Sequence, residues 1–240
     1  MTIAGSNDPA WWNEWVQEMP QRRPRLLDLM CCAGGGAMGY YQAGFDVVGV
    51  DIDPQPNYPF EFYQADALTY PLDGFDVVHA SPPCQRYSKS VSIENRKKHP
   101  DLIGAIRERF AALSIPTVIE NVPRSPLINP ITLCGSSFGL EVKRHRLFEM
   151  SHRPDDNEIP KCRHDAYTPQ FAPAWNRSTP LRFRPISGGW TGEQDLQADR
   201  AGMGVRWRMT SKELSEAIPP PYTKWIGKYL LQFVLKGDNK

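Results

Sequence analysis

Apolar positions along this chain come in short runs separated by polar or glycine-rich turns, the rhythm of strands alternating with helices. Arg25 to Met30 reads as a strand, followed by the turn Cys31-Cys32-Ala33-Gly34-Gly35-Gly36 and a helix from about Ala37 to Ala43. Val47 to Val50 is the next strand and ends at Asp51. A third short strand near Phe62-Tyr63 leads to Asp66, and a fourth runs from Phe75 to Ala80. Asp101 to Leu113 places Leu102, Ile103, Ile106, Phe110 and Leu113 on one helical face, and the strand Thr117-Val118-Ile119 follows. Strand and helix alternating in this way predict an α/β fold, a mostly parallel sheet covered by helices on both faces.

The pattern changes on either side of this core. Trp11, Trp12 and Trp15 sit at helical spacing, which suggests a short helix packed on the body, with a binding role as the alternative. After about Phe148 prolines and arginines dominate without a clear period, and residues 151–200 read as a small irregular lobe. Regular structure returns at Lys212 to Ile218, and Tyr222 to Val234 reads as a closing helix.

Composition narrows the function classes. No run of 18 apolar residues exists, so no membrane span is expected. The first fifteen residues show no basic stretch followed by an apolar one, so no secretory signal is expected. Five cysteines, two of them adjacent, do not make a disulfide framework and fit a reducing cytoplasm. The net charge of +1 conceals a split: residues 1–80 hold 3 Lys/Arg against 11 Asp/Glu, and the remainder holds 25 against 16. A basic second half suggests a polyanionic partner, against the alternative of an unevenly charged but ordinary surface.

Strand ends carry the candidate chemistry. In an open α/β sheet, residues just beyond the C-terminal ends of strands face the ligand crevice. Pro82-Pro83-Cys84-Gln85 follows one apolar run and Glu120-Asn121-Val122 ends another, so a thiol and a carboxylate are aimed at one crevice. Together they can attack an electron-poor ring and stabilise the charge that attack creates. The glycine turn opens a helix, Asp51 at the next strand end suits ribose hydroxyls, and Asp66 suits an adenine amino group. S-adenosylmethionine is the better-fitting adenosine ligand, because its amino-acid end needs only a carboxylate and ammonium site.

The series Asp28-Leu29-Met30-Cys31-Cys32-Ala33-Gly34-Gly35, Pro83-Cys84-Gln85, Glu120-Asn121-Val122 and Arg144-His145-Arg146 resembles the DNA cytosine-5 methyltransferases, in that family's order. Leu133 to Leu140, Arg144 to Glu149 and Ala217-Ile218-Pro219-Pro220-Pro221-Tyr222 look most like its compact bacteriophage members. The resemblance covers about Leu26 to Phe148 and Ala201 to Leu231. It departs at Met30 (usually Phe), Cys32 (Gly), Ile52 (often aromatic), Val142 (often Gln) and Ser215-Glu216 (Gly-Asn).

The resemblance implies a Rossmann-like S-adenosylmethionine-dependent methyltransferase fold with a small target-recognition lobe. The expected organisation is residues 1–148 for catalysis and cofactor binding, 149–200 for recognition, and 201–240 returning to the catalytic domain. It implies methyl transfer to C5 of a cytosine flipped out of double-stranded DNA, by a monomeric enzyme. Cys84 would add to C6, Glu120 would hold the N3 and amino edge in its protonated form, and Asn121 would hold the turn. An ordinary thiol of pKa about 8.5 is only a few per cent ionised at pH 7, so Cys84 needs a positive environment, expected from Arg146 with Arg144 beside it. Met30, Cys32, Ala33, Gly34, Gly35, Asp51, Ile52, Asp66, Ala67 and Pro83 are the expected cofactor contacts. Gln85, Arg86, Ser88, Lys97 and Lys98, in a basic loop over residues 85–100, together with Arg182 and Arg184 in the lobe, are the expected DNA contacts. Arg177 and Trp190 are further groove candidates, with plain structural roles as the alternative. So short a lobe implies a target of about two to four base pairs.

Three other readings stay open at this point: the same chemistry on tRNA, an idle DNA-binding relative, and transfer of a group other than a plain methyl. Cys134, Cys162 and His164 raise the question of zinc, but their spacing does not match a four-ligand site, and no metal is expected. Cys31 is expected to face the core.

Overall fold

The computed structural model describes residues 22–88, 91–166, 183, 184, 186 and 193–237. The N-terminal tryptophans, Arg177, Arg182 and Trp190 lie outside the described residues. In chain order the elements are β1 (Arg25–Leu29), α1 (Gly35–Ala43), β2 (Asp46–Asp51), β3 (Glu61–Gln64), β4 (Val77–Ala80), α2 (Ile93–Arg96) and α3 (Ile103–Ala111). They continue with β5 (Thr117–Asn121), β6 (Ile131–Leu133), β7 (Arg146–Met150), α4 (Glu193–Gly202), α5 (Ser211–Glu216) and α6 (Pro220–Gly237).

The seven strands form one sheet in the order β3-β2-β1-β4-β5-β7-β6. The pairs from β3 through β5 are parallel, whereas β7 runs antiparallel to both β5 and β6. Successive side chains of a strand point to opposite faces. Leu26, Val47 and Val77 accordingly join Tyr40, Phe45, Phe148, Tyr222, Ile226 and Leu230 in a core under α1 and α6. Their neighbours Leu27, Val48 and Val78 join Ile106, Phe110 and Ile119 in a second core under α3. The chain therefore has the expected α/β fold, with a mostly parallel sheet buried on both faces. The strand order reverses between β1 and β4, which opens the crevice at the C-terminal ends of those strands.

Boundaries shift where tertiary contact outweighs local preference. Helix α1 starts at Gly35 rather than Ala37 because the segment entering α6 lies directly against it: a side chain on Gly35 would come within 2.5 Å of the Ile218 carbonyl. A Cβ on Gly39 would overlap Thr223 Oγ1 and the Pro220 carbonyl, and the Thr223 hydroxyl donates to the Gly36 carbonyl at 2.7 Å. Helix α6 begins at Pro220, where the lost amide is one the first helical turn leaves unpaired anyway. A capping box of Thr210 and Glu213 starts α5. Strands β6 and β7 have too few apolar residues to show periodicity and emerge only from pairing. Among the described residues no helix is long and apolar enough to cross a membrane.

Candidate active site

The turn after β1 is the first wall of the crevice. Met30, Cys32 and Gly34 take positive φ angles of 57°, 46° and 81°, which folds the backbone tightly over the sheet edge. Cys32 N–H donates to Asp51 Oδ2 at 2.9 Å and Asp53 N–H to Asp51 Oδ1 at 3.1 Å. Asp51 is thereby fixed at the end of β2, and each carboxylate oxygen keeps lone-pair capacity for a hydroxyl. Ile52 beside it stands 65% exposed, an apolar surface for a planar ring. Asp66 Oδ1 caps its own turn by accepting from Leu68 N–H at 2.8 Å. Arg109 of α3 holds that turn through the carbonyls of buried Ala67 and of Tyr70. Ala33 is buried, and its carbonyl accepts from Trp207 Nε1 at 3.1 Å.

A small cavity lies beneath this turn, lined among others by Asp28, Met30, Cys32, Gly35, Ser81 and Glu216. Burial, together with Asp51 and Glu120, pushes the Asp28 carboxyl well above the carboxylate range. Burial likewise raises Glu216. The thiol of Cys32 is pushed up by burial and then by Asp51, Glu216 and Asp28. This concentration of acidic groups suits a cationic ligand such as a sulfonium bearing an ammonium. The glycine turn, Asp51 and Ile52 suit its adenosine. The residues present therefore fit S-adenosylmethionine. Cys31 is buried, and it lines this cavity as well.

The loop that carries Cys84 begins beside this cavity, at Ser81. Asn121 Nδ2 donates to the Pro82 carbonyl at 2.8 Å, and Val122 N–H donates to Asn121 Oδ1 at 2.9 Å. Asn121 thus ties the Pro82-Pro83-Cys84 loop to the end of β5, and Cys84 is half-buried there. Glu120, the residue before Asn121, is buried, and its Oε1 lies 3.0 Å from Arg146 Nε without a hydrogen-bond partner. Arg146 opens β7, and Arg144 is held beside it by donating to the carbonyls of Ala217 and Ser215. The four residues singled out for chemistry, Cys84, Glu120, Arg144 and Arg146, are therefore gathered in one place.

Their electrostatics depart from expectation at one point. Burial drives the Cys84 thiol above its ordinary pKa; Arg146 and Arg144 oppose this without overcoming it, and Glu120 adds to the rise. The arginines alone do not leave a thiolate at neutral pH, because removing a thiol from water costs more than two neighbouring cations return. Glu120 is pushed up by burial against the pull of Arg146 and Arg144, as a proton-holding carboxyl requires. Burial and Arg146 bring Arg144 down to about 9, which leaves it cationic at neutral pH.

A support for Glu120 escaped the sequence reading. Tyr40 Oη lies 2.9 Å from His79 Nδ1, His79 Nε2 lies 2.9 Å from Ser81 Oγ, and Ser81 in turn moderates the upward shift of Glu120. Burial lowers His79 to about 3, so the ring is neutral and carries one N–H. With Tyr40 donating to Nδ1, Nε2–H donates to Ser81. A histidine inside an otherwise apolar strand was the available signal.

The expected DNA contacts divide. Lys97 and Lys98 are exposed. Arg86 is partly exposed and engaged within the loop: it donates to the His99 carbonyl at 3.0 Å and lies 3.6 Å from Asp101. Ser88 uses its backbone to accept from Arg96 Nε at 2.8 Å, and Gln85 Oε1 is buried without a partner. Arg184 is committed to Glu141 at 2.7 Å and Asp199 at 3.7 Å, an intramolecular role. A cleft of about 620 Å³ lined by Arg200, Arg206, Trp207 and Arg208 was missed, although a basic run interrupted by an aromatic residue was its signal. Contrary to the spacing along the chain, four possible metal ligands do come together. His145, between the two arginines, joins Cys134, Cys162 and His164, because the antiparallel return of β7 brings it back beside the end of β6.

No family model and no curated relative matches this chain. Solved structures do. Methyltransferase EhMeth of Entamoeba histolytica superposes with a TM-score of 0.53 at 13% identity, over 92% of this chain and 100% of that one. The Dnmt2 methyltransferase of S. pombe gives 0.52 at 13% identity, over 91% and 100%. A DNA modification methyltransferase from an E. coli prophage gives 0.45 at 21% identity over 57% of this chain; the alignment spans about half of that protein's length, 51%. The chain accordingly has the Rossmann-like α/β fold seen in these methyltransferases.

Proposed function

We propose that this protein transfers a methyl group from S-adenosylmethionine to C5 of a cytosine flipped out of double-stranded DNA. The observation that carries the reading is the meeting of Cys84, Glu120, Arg144 and Arg146 against the acidic cavity below the glycine turn. S-adenosylmethionine, when bound, supplies an electrophilic methyl group. Asp51 would hold its ribose, Asp66 its adenine amino group, and Asp28 with Glu216 would flank its cationic end.

The protein's own residues perform the rest. Cys84 Sγ, after losing its proton, forms a bond to C6. Glu120, kept protonated by burial, donates to N3 as electron density moves into the ring. C5 then becomes nucleophilic. After transfer, a water molecule takes the C5 proton, the C6–S bond breaks to regenerate the thiolate, and the N3 proton returns to Glu120. Arg146 and Arg144 stabilise the thiolate and the charge that addition builds, an effect strongest with water excluded. A thiol held above its ordinary pKa until substrate seats would limit reaction with adventitious electrophiles.

The test incubates the protein with S-adenosylmethionine and duplex DNA carrying 5-fluorocytosine in many contexts. Fluorine at C5 cannot leave as a proton does, so a denaturation-resistant adduct should form and should be absent from Cys84→Ala. An adduct on tRNA alone would transfer the chemistry to RNA. S-adenosylmethionine binding with no adduct on either would overturn the reading in favour of an idle fold.

A further inference from the structure

Cys134 directly follows β6, His145 immediately precedes β7, and Cys162 and His164 lie where the chain leaves the sheet for the lobe. One ligand atom from each of these four lies within 4.8 Å of the other three. Cys134 Sγ is 3.3 Å from His164 Nε2, and Cys162 Sγ is 3.5 Å from His145 Nε2. A tetrahedral zinc ion with bonds of about 2.3 Å to sulfur and about 2.0–2.1 Å to nitrogen has ligand–ligand edges of about 3.3–3.8 Å. The four side chains are therefore already spaced nearly as such an ion would hold them. Both cysteines are free thiols.

We propose that Cys134, His145, Cys162 and His164 bind one structural zinc ion. Two soft thiolates and two imidazoles in a closed tetrahedral set select zinc over magnesium or calcium, which prefer oxygen. Two thiolates neutralise the dication, and binding releases both thiol protons to solvent. All four protein ligands are present, so no position is left for a reactive water, and the site is structural. Its outer shell is in place as well. Ser136 Oγ, 3.3 Å from Cys134 Sγ, accepts from Arg163 N–H at 3.1 Å and can donate its own proton to the thiolate. Ser137 Oγ donates to the Pro160 carbonyl at 3.2 Å and ties the same two segments together.

The ion has a consequence for the crevice. His145 stands between Arg144 and Arg146, and its carbonyl accepts from Arg146 Nη1 at 3.0 Å. Clamping His145 fixes the backbone that aims both guanidiniums at Glu120 and Cys84. It also anchors the start of the lobe to the sheet. Zinc in this protein would thus position the cationic half of the crevice without touching substrate.

The test uses the full chain, untagged, produced with zinc in the medium and purified without chelators. Elemental analysis should find one zinc per chain. Replacing zinc with Co²⁺ should give the intense visible absorption of a tetrahedral site together with a thiolate-to-metal charge-transfer band. The double variant Cys162→Ser/His164→Ala leaves the buried ligand Cys134 in place; it should lose the ion and the charge-transfer band, while Cys84→Ser keeps both. Stripping the metal from the natural chain should lower its melting temperature, and zinc but not magnesium should restore it. Less than a tenth of an ion per chain, both as purified and after zinc addition and dialysis, would overturn the proposal. So would full zinc retention by the double variant, or a Cys134–Cys162 disulfide in the protein as purified under reducing conditions.

Discussion

The two halves of the sheet contribute to the crevice in different ways. From β1 to β4 each functional group sits at the end of its own strand: the glycine turn after β1, Asp51 at the end of β2 and Pro83-Cys84 after β4. The antiparallel edge of β5, β7 and β6 instead supplies charge. Arg144 and Arg146 come into range of Glu120 only because β7 is inserted between β5 and β6 with its direction reversed. The parallel half places groups by topology, and the antiparallel half adjusts what those groups can do.

Substitutions can separate these contributions. The largest effect is expected from Cys84→Ala: trapping on 5-fluorocytosine DNA should vanish, while S-adenosylmethionine affinity by calorimetry stays within a few-fold. Loss of both together would mean that the halves are not independent. Arg146→Ala should slow adduct formation by about 100-fold, the scale of one preorganised charge-stabilising group, and change DNA affinity far less. In the same variant the pH midpoint for Cys84 alkylation, already above that of an ordinary thiol, should move higher still, because the cation that most favours the thiolate is gone. An unchanged midpoint would show that the antiparallel edge does not tune the thiol.

Gly39→Ala probes the packing of α1 on α6. The added methyl meets Thr223 and Pro220, and overpacking of this kind costs about 1–3 kcal/mol, readable as a lower urea midpoint. The smallest effect is expected from Arg184→Ala, whose partly exposed ion pairs are worth at most about 1 kcal/mol. A large loss of DNA affinity in that variant would return Arg184 to the nucleic-acid surface.

Legibility in the sequence followed the same division. Runs such as Leu26 to Leu29 and Val47 to Val50 announce buried parallel strands, and the residues after them face the crevice for topological reasons. Cys84, Glu120, Asp51 and the glycine turn could therefore be found without coordinates. Strands β6 and β7 could not, since Ile131 to Leu133 and Arg146 to Met150 are short and mixed and become strands by pairing. The Tyr40–His79–Ser81–Glu120 chain was hidden because its members come from separate parts of the sequence, α1, β4 with the turn after it, and β5.

What the chain alone determined is the alternation of strands and helices as far as β5, the closing helix, and which side chains stand at those strand ends, because periodicity and turn chemistry are local. Only the tertiary structure decided that burial outweighs two arginines at Cys84 and that Arg184 turns to Glu141 and Asp199. It alone brought His145 to complete a set with Cys134, Cys162 and His164. Each of these depends on distances between residues far apart in sequence, which the sheet's pairing order fixes and no local pattern encodes.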